Sequence, residues 1–566
     1  MKFSEMEYTR IDVAEELARY LDFAAQIERA ASFEEAEAAY LAYDKAAGHV
    51  DTLATLAMIR RQLDMDDAYY KKENLFCEQA RVELGAGIQK VAEAVLSSAF
   101  RQRFADKYGE ILLSKLSDTL DTSNPLITDE LKEESRLGEE YDDLLQNAKA
   151  LWDGKLLTQY ELSDYKCSED DEVRLRAWRA SGEAYQQSGE ALDRVYDDLV
   201  KLRTAAARKL GYENFIPLGY KRMQRDWFGP EDLPAFRAAV KELIVPLATQ
   251  LTRDQAARTG MPWPMNFSEN SLTFRSGLPK PVGTQEDTFR TGVEAFRQLS
   301  PETAEFIDFL TENELYDVSQ RSSKSSGGFV AFLPDYRAPF LFSHFSGKVV
   351  DVNSLTHEGG HAFAGYMTRD IVPSLLRHPP MDTAEIHSQA MEFFLLPWAE
   401  DFFGDDALKF SVEQLTEVFT FIPYGVMVDE FQHIMYEQPE MSPGERHKVW
   451  SGLMADYTPW LKSGDIPFYG DGQHWQRQPH IYTAPFYYID YVLSQIGALQ
   501  FRAAALTDRE DAWARYVTLV KVGGRENFLG LVKAAGFDSP LRRETLSQIA
   551  EGLGGWLAGV DLSSLA

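Results

Sequence analysis

Cysteine is nearly absent: Cys77 and Cys167 are the only two in 566 residues, and they lie far apart in sequence. Such a pair builds neither a disulfide framework nor a thiolate metal site, so a reducing, cytoplasmic setting is expected. Basic charge is short as well, with 58 Lys and Arg against 89 Asp and Glu and a net charge of -31. That balance argues against partners such as nucleic acid or an anionic membrane, and it says nothing about substrate. No stretch approaches the roughly 18 apolar residues of a spanning helix. The first twenty residues mix charged with apolar side chains and lack the continuous apolar segment of a signal peptide. A soluble protein is therefore expected. Histidine is scarce too, and nine of the ten fall between His344 and His480. Imidazole serves both metal ligation and proton transfer, so the chemistry is expected in the second half of the chain.

What the chain does contain is apolar material, 45% of residues with 12% aromatic, enough for large buried cores in two or three lobes. Over the first two hundred residues, Glu, Ala, Leu, Lys and Arg dominate and apolar residues recur at three- and four-residue steps. This predicts successive long amphipathic helices, broken at Asn124-Pro125. The acidic run from Glu133 to Asp143 reads as a solvated helix face. From about Phe215, eight prolines from Pro217 to Pro281 predict an irregular connecting region. Residues 327–333 and 339–345 are aromatic-rich, bounded by turn residues and joined by Pro334–Ala338, which predicts a hairpin. Its strands either cover the core or offer an edge to an extended peptide, and Phe342 and His344 are candidate substrate contacts. The expected architecture is mainly α, with an N-terminal helical lobe over 1–200 and a catalytic region over 201–566.

Just after the hairpin stands His357-Glu358-Gly359-Gly360-His361. Residues four apart share a helix face, so His357 and His361 can hold one zinc ion, and Glu358 can act on a metal-bound water as general base. A helix carrying two merely structural histidines is the alternative. Asp351, Asn353 or Ser354 can cap this helix, and Leu355, Ala362, Phe363 and Tyr366 supply its apolar side. The two glycines each cost about 1 kcal/mol relative to alanine inside a helix. They imply close approach of a backbone or of substrate, or else a non-helical segment.

Catalytic zinc takes three protein ligands and keeps a fourth position open. A third histidine in the pattern His-Glu-x-x-His-x-x-Gly-x-x-His is excluded, because Ala364 and Met367 occupy the required positions. The other common solution is a carboxylate from a following helix, and Glu385 is the first glutamate after Glu358. It opens a segment that follows Pro379-Pro380, ends at Pro397, and has Asp382 or Thr383 as candidate N-cap. There Glu385, Ser388, Gln389 and Glu392 share one face opposite Ile386, Met391 and Phe394. That stripe fits a ligand with its supporting shell, or a solvent-exposed surface. His387 lies on another side of the helix. Amide hydrolysis also needs donors toward a developing oxyanion. His480, Tyr482, Tyr487, Tyr488 and Tyr491 cluster in one segment, with Tyr488 and Tyr491 on one helical face. A tyrosine stripe of this kind is equally a core with polar tips.

His-Glu-Gly-Gly-His-Ala, then Glu-Ile-His-Ser-Gln-Ala-Met-Glu-Phe, then His480 with Phe-Tyr-Tyr-Ile-Asp-Tyr resembles the thimet oligopeptidase family of zinc metallopeptidases, nearest its oligoendopeptidase F and Pz-peptidase branch. The likeness runs from about Ala205 to the end of the sequence. It implies a two-lobed, zincin-like helical fold, with a small β-sheet beside the active-site helix and a deep channel admitting short peptides. It implies one Zn2+ per chain on His357, His361 and Glu385, with Glu358 as general base. It also implies that His480, Tyr488 and Tyr491 bind substrate and steady the oxyanion; Tyr487 rivals Tyr488, and Tyr482 is a further substrate contact. His387 stands where many relatives have proline, and Gly359 where they have a bulky residue. The activity implied is endopeptidase action on oligopeptides. An exopeptidase or a non-catalytic peptide-binding scaffold are the rivals, and oligomeric state is not indicated.

Overall fold

The three- and four-residue apolar spacing does produce long helices, and short strands occupy only a small part of the chain. The structure, a computed structural model, describes residues 1–566 except Ser123, Ser326, Ser463, Asp465, 562–564 and Ala566. Packing divides the chain into two compact units, each assembled from three stretches. The first comprises Met1–Ser123, Pro279–Ala407 and Gly497–Asp538, and the second Asn124–Leu278, Leu408–Ile496 and Ser539–Ala566. The expected division at residue 200 is therefore not the one the packing makes. Contacts between stretches remote in sequence decide it, and local composition does not report them.

In the first unit, helices α1 (Val13–Arg29), α2 (Phe33–Leu63) and α3 (Ala68–Ser97) start at Asp12, Ser32 and Asp67. Each of these side chains accepts a first-turn N–H. Apolar residues of the three helices, among them Tyr20, Val50, Leu53 and Leu84, share one core. The predicted hairpin is present. Strand β1 (Tyr316–Asp317) runs parallel to β3 (Ala338–Phe342), and β2 (Phe329–Leu333) runs antiparallel to β3 with Phe329 opposite Phe342 and Leu333 opposite Ala338. The sheet order is β1-β3-β2. The central strand is buried along its whole length. Among the described residues β2 pairs with β3 alone and forms an edge. The chain then enters α4 (Val349–Met367), followed by α5 (Met381–Leu395) packed against it.

The second unit contains the 31-residue helix α6 (Ala407–Glu437), with Pro423 inside it, and the start of α7 (Tyr488–Thr507). Two expectations fail here. The proline-rich stretch is substantially helical, because Pro217 and Pro234 sit in the first turns of the helices Ile216–Arg222 and Leu233–Ala239. Proline lacks an N–H that those positions leave unbonded anyway. A small hairpin, Ala150–Trp152 with Lys155–Leu157, interrupts the helical first two hundred residues. It turns at Asp153-Gly154, both with positive φ. Among the described residues, no helix is long and apolar enough to cross a membrane.

Candidate active site

Helix α4 begins earlier than its candidate caps. Lys348 is the N-cap, and buried Asp351 inside the first turn accepts the backbone N–H of Ser346 at 2.9 Å and of Gly347 at 2.6 Å. The carboxylate thus fixes the entry of the chain and favours the positive end of the helix. Leu355, Ala362, Phe363 and Tyr366 are buried as the spacing predicts. His357 and His361 then project from one face, with ring centroids 5.0 Å apart.

Glu385 comes from α5. This helix opens at Met381 directly after Pro380, with no side-chain cap, so Asp382 and Thr383 lie within its first turn. Glu385 Oε2 lies 3.3 Å from His357 Nε2 and 3.5 Å from His361 Nε2. Among the described residues, these three form the group whose donor atoms converge, all within 4.8 Å of one another. A tetrahedron with donors about 2.0–2.2 Å from its centre has edges of about 3.3–3.6 Å, so the measured separations suit one shared zinc ion. Two imidazoles and a carboxylate are also a known donor set for catalytic zinc. His357 Nδ1 lies 2.8 Å from Glu392 Oε1. The carboxylate accepts that N–H, which leaves Nε2 free to face a metal.

The electrostatics agree with the geometry. Burial alone would lower the pKa of His357, but Glu385 and Glu392 outweigh it and hold the value well above normal. Burial would raise Glu385, and the two histidines outweigh it and hold its carboxyl well below the usual range. Ser388 adds a hydroxyl donor to Glu385 Oε2 at 3.1 Å. Glu358 is 9% exposed, and burial raises its pKa against the opposing pull of His357 and His361. A carboxylate shifted upward is suited to take a proton and return it.

The two glycines now have a cause. A Cβ at Gly360 would lie 2.6 Å from the His387 carbonyl oxygen and 2.7 Å from Ser388 Cα, so the backbones of α4 and α5 meet there. A Cβ at Gly359 would lie 2.4 Å from the Phe296 ring. The polar stripe of α5 faces the histidines, since Ser388 and Gln389 are buried, and the solvent-exposed alternative falls. His387 is buried and is not among the converging donors; burial, aided by the nearby His361, pushes its pKa down to about 3. Its carbonyl accepts the Tyr516 hydroxyl at 2.7 Å.

Two features of the site lay beyond sequence reasoning. A Cβ at Gly328, just before β2, would fall 2.9 Å from Glu358 Oε1 and 2.8 Å from Ser354 Oγ, so the bare backbone shelters the base. The Gly327-Gly328 pair was the available signal. Ser354 also shares a 2.8 Å hydrogen bond with Ser343 at the end of β3, tying strand to helix. Of the expected substrate contacts, half-buried His344 has Nδ1 3.0 Å from the Ser325 carbonyl oxygen. Phe342 is fully buried, stacked on Phe329 with Lys324 over its ring. Its side chain is corrected to a packing role.

The His-Tyr segment lies in the second unit and forms a cluster of its own. His480 sits 5.7, 5.1 and 5.6 Å from the rings of Tyr487, Tyr488 and Tyr491, so the structure does not separate Tyr487 from Tyr488. Tyr424 donates to Gln478 Oε1 at 3.0 Å, and Gln478 Nε2 donates to His480 Nδ1 at 2.9 Å. The chain of donors leaves the His480 proton on Nε2, and burial lowers its pKa. Tyr482 is fully enclosed, stacked on Tyr141, with its hydroxyl donated to the Leu192 carbonyl at 3.1 Å. It too is a packing residue.

A mainly helical fold and a His-Glu-Gly-Gly-His helix completed by a glutamate from the next helix define a hydrolase of the metallopeptidase class. Residues 3–123 match the peptidase M3 N-terminal domain, and residues 301–551 match peptidase family M3. The chain belongs to peptidase family M3. It is similar to the solved structure of Pz peptidase A with an inhibitor, at 36% identity and a TM-score of 0.92 over 99% of this chain and 100% of that one. A solved structure assigned to oligoendopeptidase F gives 37% identity and a TM-score of 0.92 over the whole of both chains. Oligopeptidase PepF of Bacillus subtilis is 21% identical over 376 residues, 65% of this chain. The match spans 49% of that relative's length, about half.

Proposed function

We propose that this chain is a zinc-dependent endopeptidase that cleaves internal bonds of short oligopeptides in the cytoplasm. The observation that carries the reading is the convergence of His357, His361 and Glu385 beside buried Glu358. Those three residues would hold one zinc ion, which when bound supplies a Lewis acid that polarises a carbonyl and acidifies water. Glu392 keeps the His357 proton on Nδ1. Glu358 takes the proton of the attacking water on its carboxylate and passes it to the leaving amine.

Other parts of the reading rest on the resemblance. His480, with its proton on Nε2, and the hydroxyls of Tyr488 and Tyr491 donate to the developing oxyanion, with Tyr487 the rival to Tyr488. The free edge of β2 takes the substrate as an added strand, beginning where Gly328 shelters the base. Free Cys77 and Cys167 support a reducing compartment.

The test is hydrolysis of an internally quenched peptide blocked at both ends. The protein should cleave it, lose activity to a chelator and regain it with zinc. Glu358→Gln should lower the rate by about 10²–10⁴ while retaining the metal. Resistance of the doubly blocked peptide refutes endopeptidase action in favour of an exopeptidase. Undiminished turnover by the Gln variant refutes the role of Glu358.

A further inference from the structure

Away from the histidine helix, the first unit encloses a cavity of about 250 Å³ between α2, α3 and the residues that follow Pro373. At roughly 30 Å³ per water it has room for about eight waters, or for one small polar molecule. Aliphatic side chains make up much of its wall, and set among them are Arg377, His378, Asp51, Arg81, Tyr43 and Tyr20. Arg377 is the unusual member. Only 8% exposed, it makes no guanidinium hydrogen bond to any described residue, and its Nε is buried without a partner. The Phe332 ring lies 4.4 Å from its guanidinium carbon, and the carboxylates of Asp44 and Asp51 act on its charge through space without a hydrogen bond to it. A buried N–H without an acceptor is costly, and a guanidinium is the side chain best shaped to grip a carboxylate.

The opposite charge is also available. Asp51 is 57% exposed and reaches Arg81, itself 51% exposed, only at 3.5 Å, so neither is fully engaged. Asp44, the other wall carboxylate, is committed elsewhere, because both its oxygens accept from Ser374 at the head of the Ser374–Leu376 turn. That clamp fixes the backbone that presents Arg377. The wall therefore holds two guanidiniums and two carboxylates, and a lone anion or cation would meet like charge. A molecule carrying both signs would not. We propose that this cavity binds a zwitterionic amino acid or dipeptide, its α-carboxylate on Arg377 and its α-ammonium at Asp51, against the rings of Tyr20 and Tyr43. Only the source of such dipeptides, as products of peptide cleavage, rests on the peptidase reading; the binding chemistry does not.

Calorimetry with glycyl-L-tyrosine on the full-length Glu358→Gln protein tests the site without turnover. Saturable binding is expected. Acetylating the amine, amidating the carboxylate, Arg377→Met and Asp51→Asn should each weaken it about tenfold or more, the worth of one charged hydrogen bond. Asp51 lies at the accessible rim, so its variant remains informative if Arg377→Met fails to fold. The proposal is overturned if no saturable binding occurs, if blocked and free dipeptides bind alike, or if Asp51→Asn binds as the parent does. Loss of peptidase activity in the hydrolysis test would leave this binding result unaffected, and the reverse also holds.

Discussion

Gly360→Ala tests the site through a single methyl group. An alanine Cβ would stand 2.6 Å from the His387 carbonyl oxygen, 2.7 Å from Ser388 Cα and 2.9 Å from Met391 Cβ. Ordinary contacts between such atoms are about 3.5–4.0 Å, so the two helices must part by about 1 Å. Two of the three neighbours are backbone, and no rotamer change relieves them. Overpacking of this kind costs about 1–3 kcal/mol, against about 1 kcal/mol regained from alanine's helix propensity. A net stability loss of up to about 2 kcal/mol is expected in urea unfolding. The larger effect falls on function, because Glu385 rides on the displaced helix while His357 and His361 stay on the other. A displacement of about 1 Å costs on the order of a hundredfold in rate. Metal affinity and kcat/KM on a quenched peptide should therefore fall together. Gly359→Ala is the control: its Cβ would meet the Phe296 ring instead of α5, so stability should drop while kcat/KM stays within a few fold. If Gly360→Ala keeps both metal affinity and kcat/KM within about twofold of the parent, the close approach of α4 and α5 does not set the ligand geometry.

Gly328→Ala would place a methyl 2.9 Å from Glu358 Oε1; displacing the base should lower kcat by about tenfold to a hundredfold with metal content unchanged by atomic absorption. Glu392→Gln removes the carboxylate partner of His357 Nδ1 and should weaken zinc binding about 10–100-fold in a competitive chelator titration. Glu413 on α6 has its pKa pushed up from 4.5 to about 7 by burial, reinforced by Glu417 and opposed by Lys409. Its folded form holds a proton the unfolded chain releases, so it costs stability as pH rises through that window and nothing below it. Glu413→Gln should therefore stabilise the protein by about 1–2 kcal/mol at pH 8, after allowance for partial solvent screening, and leave stability unchanged at pH 4.

The convergence of His357, His361 and Glu385 was legible because its logic is local. The i, i+4 histidines and the i, i+3, i+4, i+7 polar stripe from Glu385 to Glu392 each state which face must point inward. The glycine pair was legible only as a demand for close approach; which backbone answers it is a tertiary fact. The same holds for Gly328, whose neighbour Glu358 is remote in sequence. Helix starts were misplaced by a few residues, since Pro380 opens α5 without a side-chain cap and Asp351 works from within α4. The Asp153-Gly154 turn carried a strong hairpin signal that strands of only three residues obscured. Phe342 and Tyr482 show the reverse limit. An aromatic beside a catalytic motif reads the same in sequence whether its ring meets substrate or core.

The interleaving of the two units has a consequence for synthesis. The stretch that completes the first unit begins at Gly497, long after Ser123 has been made. At ribosomal rates of about 5–20 residues per second that interval is on the order of half a minute. Throughout it, α1–α3 exist without all of the chain they finally pack with, and the second unit also waits for its last segment. The first unit cannot be finished on the ribosome before Gly497–Asp538 has emerged, nor the second before Ser539–Ala566. The nascent protein must therefore be protected from proteolysis and aggregation until these late stretches have been made, and the segments before and after residue 200 are poor candidates for separate expression.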